Sequence, residues 1–441
     1  MSPPSRRELL RASGVGLAAL AGCTARDDSL DDAATRTTTR RTETTAQRTS
    51  ETTTTTEQTT TAAEASECAP KSLPETGWPL PDRDPANTNY APSATGPVEK
   101  PSARWQRTAE PPETDAYVEA GFTDPAVTSD RLFVGKRLLP GAESPMPEGN
   151  ALHAYDRASG ERVWTYPLGD EAPRALAVTG DAVHVATWSR LSAVGRTDGT
   201  RRWTFDPEEG VEAVTPTDER IYVTAGSGSV TALRSDGTAE WTASAGERLS
   251  ARPAVYDGSV FVGTADGTLT ALRASDGRER WSATLAGGDS DSDRLVTDVA
   301  VTDCRILAIA SDDVVALDPD GLVRWRATGG YGTVSTDGAS VYAGTDDGHL
   351  RTFSAAGGAV EWETFLGDRN HRRVDGIWTD PVVADGTVYV SARPDSLYSF
   401  EARTGRENWK LTFDSLAHSG KPVVADDDLF VSAGNVLAAF A

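Results

Sequence analysis

Residues capable of chemistry are sparse in this chain and widely scattered. Arg369-Asn370-His371-Arg372-Arg373 forms a basic island in a sequence of formal charge −23. Such a cluster attracts an anion, an acidic glycan or an acidic protein surface. Trp188 and Trp378 lie outside the regular tryptophan series described below, and each offers an aromatic face for a ligand or for packing. Trp378 precedes Pro381 by three residues, as Phe122 precedes Pro125, which suits packing at a strand entry. His153, His184, His349 and His418 lack metal-ligand spacing. No Ser-His-Asp set or carboxylate pair is legible, so no catalytic or metal-binding residue is assigned. The cysteines are Cys23, Cys68 and Cys304, with no C-x-x-C-H haem site. Acidic residues number 66 against 43 basic ones. That balance disfavours a nucleic-acid partner, because phosphate binding needs a basic footprint.

The elements that must position these residues come from a repeat. Glycine is followed four residues later by tryptophan at Gly160/Trp164, Gly199/Trp203, Gly237/Trp241, Gly277/Trp281, Gly321/Trp325, Gly358/Trp362 and Gly405/Trp409. A period near 40 residues signals a propeller or an array. In the clearest unit, Pro253 to Trp281, four alternating segments are separated by Asp-Gly-type turns. That pattern predicts a four-stranded antiparallel blade. The tryptophan falls on the fourth strand, and its expected role is to dock between adjacent blades. Residues 427–441 supply the last strands of a blade without a fourth, and Trp105 lies on a fourth strand with no blade before it. Joined, they make blade eight and close the ring, leaving no exposed edge. Pro101 stands where glycine would precede Trp105, since no third strand comes before it. The predicted fold is all-β: an eight-bladed propeller over residues 99–441, expected to be monomeric. The long insertions, Thr108 to Gly121, Lys136 to Gly149, Gly287 to Arg294 and Gly367 to Gly376, all fall on one face, where a binding surface is expected. Trp188, Arg369, His371, Arg372, Arg373 and Trp378 are the candidate contacts there.

The N-terminal 98 residues read differently. Ser5-Arg6-Arg7-Glu8-Leu9-Leu10 resembles a twin-arginine export motif, and a short apolar run leads to Leu20-Ala21-Gly22-Cys23, which resembles a lipobox. The resemblance implies a signal peptide over residues 1–22 and a lipid on Cys23. Residues 23–66 are threonine-dominated and nearly free of apolar side chains, the composition of a disordered tether. Residues 67–98 form an N-terminal arm. The expected location is the cell membrane, facing the extracellular side. Cys68 and Cys304 would there be in an oxidising compartment, where a disulfide between them is one outcome and two free thiols the other. Only five of the 43 basic residues are lysine. An acidic, lysine-poor surface suits a protein kept soluble at high salt, and points to a halophilic archaeon.

A blade ending in D-G-x-x-x-W resembles the quinoprotein (PQQ-type) propeller repeat, and residues 77–92, GWPLPDRDPANTNYAP, look like the segment preceding the first blade of quinoprotein dehydrogenases. The same architecture occurs in BamB-like lipoproteins, which are non-catalytic. The dehydrogenase resemblance would imply PQQ with calcium, an adjacent Cys-Cys pair and a Glu, Asn and Asp holding the metal; the chain has no such cysteine pair, and no matching ligand set is evident. Inner strands rich in Ala, Val, Thr and Ser lead to the expectation of little chemistry in the axial channel. The sequence therefore favours a lipid-anchored scaffold for an unidentified protein partner. A PQQ-dependent oxidoreductase and a glycan-binding module are the alternatives.

Overall fold

The computed structural model describes residues 77–441 apart from 112–117, 141–147, 288–294, 331, 346, 367–376, 378, 393–395 and 414–419. Strands fall into eight sheets: residues 118–169, 175–205, 213–244, 254–284, 296–328, 334–365, 382–412, and a last one joining 423–440 to Ala103–Thr108. We number these blades 1 to 8. Each runs antiparallel from the axis outward. Inner strands such as Ser259–Gly263 are buried throughout, whereas the outermost strand of the same blade, Glu279–Thr284, alternates exposed and half-buried residues. At the Asp-Gly turns between the first and second strands of blades 4 and 7, both residues are left-handed: Asp257 and Gly258 at φ 43° and 67°, Asp385 and Gly386 at 38° and 73°. That is the turn whose twist matches a two-residue hairpin. Among the described residues, no helix is long and apolar enough to cross a membrane.

Every blade handles its tryptophan in the same way. The residue opposite it on the third strand is small or β-branched, and a β-bulge follows immediately, as at Ala193↔Trp203 and Ala271↔Trp281. The bulge turns the indole toward the next blade. Its Nε1 donates to a carbonyl there: Trp105 to Arg157 (3.0 Å), Trp164 to Arg196 (3.0 Å), Trp203 to Ser235 (2.8 Å) and Trp241 to Ala274 (3.1 Å). Trp281, Trp325 and Trp362 continue the series to Pro319, Ala355 and Ala402, and Trp409 donates instead to Pro97 of the arm. The repeat glycine therefore does more than turn the chain. A Cβ on Gly199 would lie 2.8 Å from the Trp164 ring of the preceding blade, and one on Gly277 2.5 Å from Trp241. The recurring glycine leaves room for a neighbour's indole.

Blade 8 takes Ala103–Thr108 as its outermost strand against Val436–Phe440. Arg157 of blade 1 locks the junction, donating to Asp426 (2.6 Å), Asp428 (3.1 Å) and the Ala425 carbonyl (2.7 Å). Blade 1 departs from expectation. Parts of the predicted loops 108–121 and 136–149 are ordered as a ribbon: Val118–Phe122 pairs antiparallel with residues 136–140 of the long strand Arg131–Pro140. That strand overshoots the blade, and the second segment satisfies its otherwise bare edge.

The N-terminal arm occupies the axis. Its backbone visits the innermost strands in ring order, with hydrogen bonds Trp78–Val127, Val178–Pro79, Val255–Pro85, Val301–Ala86, Thr336–Thr88 and Val383–Asn89, and then Gly96–Asp426. Tyr90–Ala91 adds a short parallel strand to blade 7. The innermost strand of a blade has no partner on its channel side, and the arm supplies a backbone hydrogen bond to blades 1, 2 and 4 to 8.

Candidate functional site

A charged cluster lies at the mouth of the channel on the face where first strands begin. Asp124, Arg252, Asp380 and Lys421 each precede the proline that opens a first strand, in blades 1, 4, 7 and 8. Closing the ring brings Arg252, Asp380 and Lys421 together at the arm, and Asp124 accepts from the Lys421 amide (3.1 Å). The Lys421 ammonium, 4% exposed, donates to Asp82 Oδ1 (2.5 Å), Asp380 Oδ2 (2.7 Å) and the Pro81 carbonyl (2.7 Å). It also sits 5.6 Å from the Trp78 ring centre. Arg252 Nη1 donates to Asp82 Oδ2 (2.6 Å), and the Val334 amide to Asp298 Oδ2 (2.8 Å). Sequence reasoning expects little chemistry in the channel, and this cluster corrects it. The available signal is an ionisable residue before the entry proline.

The electrostatics are those of a lock. Burial pushes the Asp82 carboxyl up, but the charges of Arg252 and Lys421 outweigh it and hold Asp82 well below the usual carboxylate range. Lys421 shows the converse: burial works against its charge, and Asp380 and Asp82 more than restore it. Burial, then the negative charges of Asp380 and Asp82, raises Asp298 well above its ordinary value, which favours the protonated acid. Three carboxyls facing two cations thereby approach neutrality. Within the arm, Asp84 Oδ1 accepts from the Ala86 amide (2.8 Å) and Oδ2 from the Thr88 hydroxyl. Burial nevertheless lifts Asp84 to about 6.

Outside the axis, the same face carries a polar hollow of about 140 Å³ reaching from Gly420 and Ser432 of blade 8, past Asp124, to Arg174 of blade 2. Beside it stands Trp188, 59% exposed, in the loop between the second and third strands of blade 2. The Arg174 guanidinium lies 4.8 Å over its ring. Arg174 in turn donates to both carboxylate oxygens of Glu212 (3.0 and 3.1 Å). The Trp188 carbonyl accepts from the Val211 amide (2.8 Å), which fixes the loop backbone under the ring. A large apolar face is thus held in solvent by a guanidinium that is itself anchored. Trp and Arg are the residue types that most often carry binding energy at protein interfaces.

Residues 99–210, 187–331 and 329–441 match a family model described as outer membrane protein assembly factor BamB. The chain belongs to this family. Outer membrane protein assembly factor BamB of Yersinia pestis is 26% identical over 293 residues, 64% of each chain. Against other curated relatives the chain spans about half of their length. Among solved structures, BamB from Moraxella catarrhalis superposes with a TM-score of 0.59 at 17% identity, covering 77% of this chain and 97% of that one. Quinohemoprotein alcohol dehydrogenase from Comamonas testosteroni gives 0.62 at 13% identity, covering 83% and 81%. At such identities the likeness is one of fold.

In this BamB-type propeller, Trp188 is the sequence-predicted contact that the described residues contain. Arg369, His371, Arg372, Arg373 and Trp378 lie outside them, as do Cys23 and Cys68. Cys304 is disulfide-bonded, with its other half outside the described residues. His153 is buried and bonded through Nδ1 to the Thr165 hydroxyl (2.9 Å), and burial lowers it to about 4. His349 pairs with Asp347 (2.9 Å). Among the described residues, no three His, Cys, Asp or Glu side chains come together in a way that could hold a metal ion.

Proposed function

We propose that this propeller is a non-catalytic docking protein, held at a membrane by a lipid on Cys23 and facing the cell exterior, that binds a protein partner through the face bearing Trp188. The observation that carries this reading is the Trp188–Arg174–Glu212 stack, an exposed aromatic pre-ordered by an ion pair beside a polar hollow. Pre-ordering spares the entropy that a mobile tryptophan would lose on binding. Membership of the BamB family supports a protein-interaction role, and the role those relatives are named for, outer membrane protein assembly, supports membrane association. A function without PQQ and calcium is supported by the donor set at the axis, where Asp82 and Asp380 are bonded to Lys421 and Arg252 and Asp298 favours a proton. The test is a quantitative pull-down from detergent-solubilised membranes of the native cell. Trp188→Ala and Arg174→Ala should each lower recovery of the partner by about ten-fold or more, the range of an interface hot spot. Undiminished recovery with both variants would contradict this face as the site. Addition of PQQ and calcium to the purified protein should give no cofactor absorbance and no alcohol-dependent dye reduction.

A further inference from the structure

The face opposite Trp188 carries the turns that join first to second strands and third to fourth strands. The two residues after the repeat glycine differ round the ring. They are Glu161-Arg162 in blade 1, Thr200-Arg201 in blade 2, Thr238-Ala239 in blade 3, Arg278-Glu279 in blade 4 and Arg406-Glu407 in blade 7. Blades 5 and 6, which are neighbours, have Leu322-Val323 and Ala359-Val360 instead. Charge at such positions keeps the bare edge of an outermost strand from pairing with other chains. Leu322, Val323 and Val360 are 62%, 48% and 54% exposed, and they make up half of the exposed large apolar side chains among the described residues.

The docking tryptophan of blade 5 joins the two turns into one surface. Trp325, two residues beyond Val323, donates to the Ala355 carbonyl of blade 6 (2.9 Å), and its ring lies against Gly358. The blade 6 turn, Ala355 to Ala359, holds no charged or hydroxyl side chain, and Ala356 and Ala359 are exposed. On the blade 5 side, Asp318 is taken by Arg324, which leaves Asp320 as the acid at the rim. The chain outside the described residues indicates what covers this patch. Cys304 lies in the turn between the first and second strands of blade 5, on the same face, and is disulfide-bonded. The chain's other cysteines, Cys23 and Cys68, both precede the described residues, so the bond fastens the N-terminal segment to blade 5. The inference rests on the proposed lipid at Cys23: a lipidated sulfur is a thioether, which leaves Cys68 as the partner of Cys304. The lipid-bearing segment is thereby fastened to the blade that carries Leu322 and Val323, on the face where they are exposed. A few aliphatic side chains bind a bilayer weakly by themselves, but a tether to the same bilayer makes the encounter intramolecular.

We propose that the turns of blades 5 and 6 on this face rest on the lipid surface that anchors the chain, with Leu322, Val323 and Val360 at the boundary between headgroups and acyl chains. The patch thereby sets the orientation of the propeller, and the Trp188 face is turned away from the membrane. Repulsion between an acidic protein and an anionic surface is screened at high salt, so contact through an uncharged patch is favoured there.

The experiment uses the full chain purified from native membranes and reconstituted, in concentrated salt, into vesicles of phosphatidylcholine with a minority of phosphatidylglycerol. An environment-sensitive fluorescent amino acid replaces Ala356 or, as a control, Glu208, an exposed loop residue on the Trp188 face. Phosphatidylcholine carrying a doxyl group on its acyl chain is the quencher. The probe at position 356 should shift to the blue and lose more than half of its emission to doxyl lipid, and the probe at 208 should do neither. Leu322→Glu with Val360→Glu should leave melting unchanged, because both side chains are exposed, and should abolish the quenching at 356 by bringing two carboxylates to the lipid. Mass spectrometry of the same sample should find lipid on Cys23 and a peptide linking Cys68 to Cys304. Cys23 without lipid, or bonded to Cys304, would overturn the anchored reading and this inference with it. Lipid and linked peptide both present, with position 356 unquenched or quenched no more than 208, would overturn the docking alone. A blue shift at 356 that grows with protein concentration and is untouched by doxyl lipid would assign the patch to a second copy of the chain, and would overturn it as well.

Discussion

At the scale of single residues, the axis is held by charges that cannot be separated from one another. Lys421 is the hub, and removing it takes the bonded cation from buried Asp380 and leaves Asp82 to Arg252 alone. Lys421→Met should therefore lower unfolding free energy by about 3 kcal/mol or more, the cost of breaking a buried pair. Adding Asp380→Asn should recover part of that loss in urea titrations. Asp84 and Asp82 give opposite pH signatures. Asp84 rises from an ordinary carboxylate value to about 6 on folding, so its contribution is complete below about 4 and is lost as pH rises through about 6. Asp82 is held low, so its contribution is present above about 4 and is lost as pH falls below that. Asp84→Asn should flatten the decline in stability between about pH 4 and 7, removing roughly 2 to 3 kcal/mol of pH dependence. A decline equal to that of the parent protein would show that another group causes it. None of this is legible in the sequence beforehand. Arg252, Asp380 and Lys421 are each one residue before a proline, in blades 4, 7 and 8, and only the closed ring brings them to one point.

At the scale of elements, the tryptophan series is legible because each blade repeats the same local solution. Turn glycine, small opposing residue, bulge and indole recur at fixed spacing, so the number of blades and the place of closure follow from Trp105 and the incomplete last unit. What the spacing does not reveal is why glycine is needed. A turn alone would tolerate a strained side chain, whereas contact with a neighbour's indole would not. Two substitutions separate these causes. Gly386→Ala meets nothing within 4 Å at φ +73°, so its cost is backbone strain alone, about 1 to 2 kcal/mol. Gly199→Ala has a similar φ of +67° and adds a contact 2.8 Å from the Trp164 ring. It should cost at least about 1 kcal/mol more, as overpacking does; equal costs by chemical denaturation would return the glycine to a turn role. Blade 1 marks the limit of pattern reading. Its overshooting strand and the Val118–Phe122 segment are separated by the blade's own first strand, Ala126–Val127, in a stretch without turn spacing, and their pairing depends on an edge that exists only once the blade has formed.

At the scale of the whole molecule, two devices close the ring. Ala103–Thr108 completes blade 8 from outside, and the arm threads the inside from blade 1 round to blade 8. Arg157 spans the junction between them, and Arg157→Met should lower stability by about 3 kcal/mol, with hydrogen exchange rising first in blade 8. Because the arm and its ion pairs fill the axis, the proposed partner-binding surface is the outer part of the long-loop face, at Trp188 and Arg174. The direct measurement is site-specific photocrosslinking in living cells, with benzoylphenylalanine at position 188 and, as a control, at Ser275, an exposed turn residue on the opposite face. One discrete protein adduct is expected from position 188, and none from position 275. No adduct at 188, or the same adduct from both positions, would contradict it.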